Sequence, residues 1–125
     1  MILGIGCDLI EIERIAKVFD SDRKKARIFT EAELSSVRKP GSGELAGIYA
    51  VKESFAKALG TGIRGITFRD IEVLKDALGK PYINLEKAMP FLSERFGRED
   101  IMVQVTISHD RTNALAFVVV EGGMS

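Results

Sequence analysis

Residues Glu44 to Leu59 carry the clearest helical pattern in this chain, and the rest of the fold has to be built around them. Leu45, Ile48, Phe55 and Leu59 form one apolar stripe at helical spacing. Ser42 or Gly43 stands where the first turn needs a cap, and Gly60-Thr61-Gly62 ends the run. On both sides the period changes to two. Ile2 to Ile10 reads as a strand, as do Ile101 to Ser108 and Ala114 to Glu121, the last two joined by the polar loop His109 to Asn113. Asp70 to Leu74 and Lys80 to Leu85 read as a hairpin turning through Asp76-Ala77-Leu78-Gly79, with Pro81 confining its second arm to an edge or a strand start.

Shorter helices fill the gaps. Glu11 to Phe19 places Ile12, Ile15, Ala16 and Phe19 at helical spacing before dissolving into the charged run Asp20 to Arg27. Thr30 with Glu33 has the spacing of a capping box and predicts a helix through Val37, which Lys39-Pro40-Gly41-Ser42-Gly43 ends. Glu86 to Phe96 reads as helical despite Pro90, with Gly97 as its stop. No repeat, low-complexity stretch or linker divides the chain, so residues 1–125 are expected to form a single α+β domain, a mainly antiparallel sheet packed around one long central helix.

Charge says little about partners, because 18 Lys and Arg offset 18 Asp and Glu. No basic-aromatic surface pattern points to nucleic acid. The first residues lack a basic leader and meet Asp8 early, and no long apolar run suits a membrane span, so a cytoplasmic protein is the working expectation. The single cysteine, Cys7, suits a reducing compartment and reads as a small core filler.

Four local features have chemical content. Asp8 interrupts an apolar strand, where an unpartnered carboxylate is expensive to bury. Alternation puts Gly4, Gly6 and Asp8 on one face opposite Leu3, Ile5 and Cys7, which predicts a packed apolar face and an open glycine face with room for a ligand. Asp8 is then either a metal ligand or, with Glu11 three residues on, the cap of the next helix. Glu53 and Lys57 share one face of the long helix, as a surface ion pair or as part of a phosphate site beside Gly60-Thr61-Gly62. His109, the sole histidine, stands at a strand end, as an ordinary solvated residue or a site residue. One histidine and one cysteine exclude the usual structural zinc sets, so a metal here would be a hard ion on carboxylates. Arg23, Lys24 and Arg27, near Arg14, form either a solvated face or a docking patch for an acidic protein.

Taken together, these segments resemble the holo-acyl-carrier-protein synthase family of phosphopantetheinyl transferases over nearly the whole chain. The match runs through Gly4-Ile5-Gly6-Cys7-Asp8 with Glu11 and Arg14, Arg27-Ile28-Phe29-Thr30 with Glu33-Leu34, Ala50 to Gly62, Gly79-Lys80-Pro81-Tyr82 and Val105 to His109. Tyr49, Ser54 and Thr106 depart from the residues frequent at those places. The resemblance implies the 4′-phosphopantetheinyl transferase fold and transfer of phosphopantetheine from coenzyme A to a serine of apo acyl carrier protein, releasing adenosine 3′,5′-bisphosphate. It further implies Mg2+, with Mn2+ an alternative, on Asp8 and Glu53; Lys57 on phosphate; and Gly60, Thr61, Gly62, Pro81 and His109 around coenzyme A. Glu53, directly or through a water on the metal, is the expected base, with His109 as the competitor. Arg14, which matches a family position, and Arg23, Lys24 and Arg27, which match only in charge character, would meet the carrier, and the family's short members imply a homotrimer with shared sites. A nucleotide phosphotransferase lacks any G-x-x-x-x-G-K-S/T loop to support it, while a module that binds without transferring stays open.

Overall fold

The computed structural model describes residues 1–39, 41–61 and 67–123. Pro40, placed at the end of an expected helix, lies outside the described residues, as does Gly62.

In chain order the elements are β1 (Ile2–Glu11), α1 (Ile12–Val18), α2 (Asp22–Ile28), α3 (Glu31–Ser36), α4 (Glu44–Leu59), a single 3-10 turn (Phe68–Asp70), β2 (Val73–Lys75), β3 (Pro81–Ile83), α5 (Leu85–Phe96), β4 (Ile101–His109) and β5 (Asn113–Gly122). The strands form an antiparallel sheet in the order β1-β5-β4 and a separate β2-β3 hairpin. The fold is α+β, with α4 laid across the larger sheet. Buried Ala50, Val51, Phe55 and Leu59 of α4 share one core with Ala114, Ala116, Val118 and Val120 of β5.

What determines this packing is glycine. A methyl group added at Gly4 would lie 2.0 Å from the Ala58 carbonyl oxygen, and one at Gly6 would lie 1.9 Å from that of Ser54. Strand and helix therefore meet backbone to backbone, and no other residue fits between them. The expectation of an open glycine face is reversed: α4 fills that face. The opposite face is the bare one, with Ile5 66%, Leu9 64% and Phe117 46% exposed. Cys7 lies on this bare face and is exposed, so it is not a core filler. Period-two alternation separates the faces, but not which one a helix covers.

The second difference is α2. Its seven residues, inside the charged run, are helical with none buried. Ser21 caps its start by accepting from the Lys24 amide at 3.2 Å, and Lys24 pairs with Asp20 at 2.9 Å. Caps and charge pairs support this turn without the apolar stripe that marks packed helices. The β2-β3 arms are also shorter than expected, the 3-10 turn taking up Asp70.

Gly6→Ala is expected to lower stability by about 3 kcal/mol or more, since backbone must move to admit the methyl. Cys7→Ala, on the open face of the same strand, should change the urea midpoint little; equal midpoints for the two variants would contradict the close-approach account.

Candidate functional site

The glycine contact carries Asp8 over the middle of α4. Asp8 stands inside β1, opposite Ala116 in the ladder, and α1 starts instead at Glu11, whose side chain makes no cap bond. The capping alternative for Asp8 is thereby removed. Its Oδ1 accepts from Lys57 Nζ at 3.1 Å, and the same ammonium donates to the Cys7 carbonyl at 3.0 Å. The hydrogen bond and charge of Asp8 hold the Lys57 ammonium above its ordinary pKa. Glu53 has another partner. Its Oε1 accepts from the Tyr49 hydroxyl, one helical turn earlier, at 2.9 Å. Of the two alternatives for Glu53 and Lys57, the surface ion pair is not formed: Lys57 reaches across to β1, while Glu53 stays on α4 with Tyr49.

Burial, then the hydrogen bond and charge of Glu53, push the Tyr49 phenol up to about 12, with Asp8 adding and Arg14 opposing. Asp8, Glu53 and Arg14 therefore lie in electrostatic reach of one hydroxyl, and Lys57 feels both carboxylates. Among the described residues no third His, Cys, Asp or Glu joins this pair, and neither Asp8 Oδ2 nor Glu53 Oε2 accepts a hydrogen bond. That donor set fits magnesium, which takes one or two carboxylates and fills its remaining positions with water and phosphate oxygens. A cation already stands at Asp8 in the form of Lys57, whose side chain is 56% exposed.

One turn further on, α4 ends at Gly60, whose φ of 77° and N–H hydrogen bond to the Lys57 carbonyl turn the chain out. Thr61 follows, exposed. Arg95 of α5 donates to the Leu59 carbonyl at 2.6 Å and covers the helix end.

Pro81 and His109 sit elsewhere. A methyl at Gly43, the cap of α4, would lie 3.1 Å from His109 Nδ1. Pro81 opposes Lys75, which pairs with Glu44 at 3.1 Å in the first turn of α4. Both residues thus belong to the beginning of α4, and ten residues at 1.5 Å each put Gly43 about 15 Å along the axis from Glu53. Arg14 is exposed on α1, and Arg23, Lys24 and Arg27 are exposed on α2, with Lys24 engaged by Asp20.

Two supporting groups escaped the sequence reading. Lys52, next to Glu53 on α4, has a side chain with no exposure; it donates to Glu33 Oε2 at 2.7 Å and to the carbonyls of Phe68 and Ile71 at 2.6 and 2.7 Å. Burial pushes this ammonium down to about 8, with Glu33 pulling the other way. Glu33 completes the Thr30 capping box through Oε1, while its Oε2 also accepts from the Val73 amide. The capping-box signal located Glu33 but attached it only to α3; nothing in the local pattern pairs it with a lysine 19 positions away.

The profile of the 4′-phosphopantetheinyl transferase superfamily matches residues 4–118. A holo-[acyl-carrier-protein] synthase of Fusobacterium nucleatum is 39% identical over 122 residues, covering 96% of this chain and 99% of that protein. The crystal structure of holo-[acyl-carrier-protein] synthase from Neisseria meningitidis is similar with a TM-score of 0.83 and 39% identity, covering 97% of this chain and 99% of that one. That of a holo-(acyl-carrier-protein) synthase from Bacillus anthracis in complex with CoA (3′,5′-ADP) gives a TM-score of 0.77 and 36% identity, covering 98% and 99%.

Lys52→Met strands the Glu33 carboxylate in the core and is expected to cost about 3–5 kcal/mol. Adding Glu33→Gln should return much of that loss, because both charges are then gone while a side-chain oxygen remains to accept a buried amide. A double variant no more stable than Lys52→Met in urea denaturation would argue against the ion pair as the source.

Proposed function

The chain belongs to the 4′-phosphopantetheinyl transferase superfamily and is an enzyme of the holo-[acyl-carrier-protein] synthase type, and from that premise we propose how its own residues carry out the transfer. Coenzyme A is the donor and a serine of apo acyl carrier protein the acceptor. The serine oxygen bonds to the β-phosphorus, the bond from that phosphorus to the bridging oxygen breaks, and adenosine 3′,5′-bisphosphate leaves with that oxygen.

The observation that carries this reading is the convergence of Asp8, Glu53 and Lys57, from two elements pressed together by glycine. Asp8 and Glu53 would hold a divalent ion, Mg2+ or Mn2+ being equally suited to oxygen ligands, whose charge offsets that on the transferring oxygens. Lys57 leaves Asp8 to take a diphosphate oxygen. The Gly60-Thr61 backbone would lie against the nucleotide. Glu53 is the proposed base for the serine proton; His109, about 15 Å away along α4 within one chain, competes for that role only where a neighbouring chain brings it to the site. Arg14 and the exposed cations of α2 meet the acidic carrier, steering its approach more than tightening its grip.

Pro81 and His109 completing the coenzyme A site calls for a neighbouring copy. The bare face of the β1-β5-β4 sheet, with Ile5, Leu9 and Phe117, supports association, since apolar patches of this kind mark interfaces. The reading is a homotrimer in which one chain's Asp8 and Glu53 meet a neighbour's Pro81 and His109. We place the reaction in the cytoplasm, in keeping with one unpaired cysteine; among the described residues no helix is long and apolar enough to cross a membrane.

Intact-protein mass spectrometry of apo acyl carrier protein incubated with coenzyme A and Mg2+ should show a gain of one phosphopantetheine, lost on chelation and lost in a folded Asp8→Ala variant. Binding of coenzyme A with no mass gain on several carriers would favour a binding module instead, and full activity in Asp8→Ala would remove it as a ligand. Phe117→Asp should shift the light-scattering mass from three chains to one and cut turnover; an unchanged mass would move the interface off this face.

A further inference from the structure

Tyr49 lies in a four-ring cluster, its centroid 5.6 Å from Phe19, 6.5 Å from Phe29 and 5.8 Å from Phe68, the last at 82°. These rings come from the end of α1, the end of α2 and the 3-10 turn, so the phenol is gripped by three segments besides its own helix. Edge and tilted contacts of this kind fix a ring's plane. The hydroxyl then has one direction to point, and it donates to Glu53 Oε1 at 2.9 Å.

We propose that Tyr49 is a positioning residue for the metal carboxylates: its hydroxyl occupies Glu53 Oε1 and leaves Oε2 as the oxygen offered beside Asp8. This rests on the reading of Asp8 and Glu53 as ligands. Glu53 is a flexible side chain, and a carboxylate that must find its rotamer on each binding event binds a hard, geometrically demanding ion less well than one already held. Tyr49 is suited to hold it because three neighbouring rings fix its plane and its hydroxyl lies 2.9 Å from Glu53 Oε1. A phenylalanine or tryptophan here would keep the apolar contacts and lose the hydrogen bond.

The test is Tyr49→Phe, which removes one oxygen and keeps the ring. Mn2+ binding, followed by electron paramagnetic resonance with coenzyme A present, should weaken about tenfold, within the 10–100-fold range for losing a group that orients a ligand. kcat should fall by a similar factor at fixed metal, be partly restored at saturating Mn2+, and the KM for carrier should stay near the wild-type value. Glu53→Gln is the reference. If Glu53→Gln loses Mn2+ and Tyr49→Phe does not, the ligand reading stands and the role of Tyr49 is overturned. If Glu53→Gln binds Mn2+ as the wild type does, the ligand reading falls and takes the proposal with it. The chain has no tryptophan and two tyrosines, so in a Tyr82→Phe background the tyrosine band of the near-ultraviolet absorption belongs to Tyr49. Mn2+ should perturb it with the affinity seen by resonance, and an unresponsive spectrum would count against the contact.

Discussion

The rest of the structure depends on two missing methyl groups. Gly4 and Gly6 allow β1 to touch the backbone of α4 at Ala58 and Ser54. The geometry is a match of repeats: two residues of strand advance about 6.7 Å, and four residues of helix about 6 Å. A strand face thus runs down a helix one turn at a time. After Gly4 at Ala58 and Gly6 at Ser54, the third position on that face comes to the turn holding Tyr49 and Glu53. That third position is Asp8. A carboxylate in an apolar strand, a puzzle when β1 is viewed alone, is the end of a register set by glycine.

Held beside this register is a buried charge that keeps α4 from sliding. The three protons of Lys52 meet three acceptors, Glu33 and the carbonyls of Phe68 and Ile71, and Glu33 in turn takes the Thr30 and Val73 amides. An ion pair buried this completely contributes little net stability against an apolar replacement, but its geometry tolerates no alternative partner. It joins α3, α4, the 3-10 turn and β2 at the residue before Glu53. The arrangement favours one axial position of α4 over its neighbours, and with it one position for the carboxylate.

How much of this could be read in the sequence follows from the range of each signal. Helix α4 matched its expected bounds of Glu44 and Leu59, and the outer strands came within a residue or two, because stripe, alternation and glycine stops are all local. The union of Asp8 with Lys57 and Glu53 came from motif order and not from periodicity, since residues 49 positions apart have no local rule to join them. Three things stayed hidden. The helix α2 has no buried side chain to create a period. The choice of which β1 face is covered depends on the partner, and side-chain hydrophobicity pointed the wrong way. Tyr49 was visible only as a departure from a frequent residue, its hydroxyl acquiring meaning once Glu53 was seen one turn away.

That inverted sheet links fold to function. A small domain normally turns its apolar strand residues inward; here β1 turns glycine inward and Ile5 and Leu9 outward. Exposed apolar strand residues are an aggregation liability unless something covers them. The same backbone contact that delivers Asp8 to Glu53 is what forces Ile5 and Leu9 to the other side, because alternation allows no third choice. A chain that builds its carboxylate pair this way also creates a sticky face, and a second copy is the partner always at hand. In the proposed trimer, assembly would follow from how the carboxylates are placed, and a neighbour covering this face would bridge the distance between Glu53 and His109 along α4.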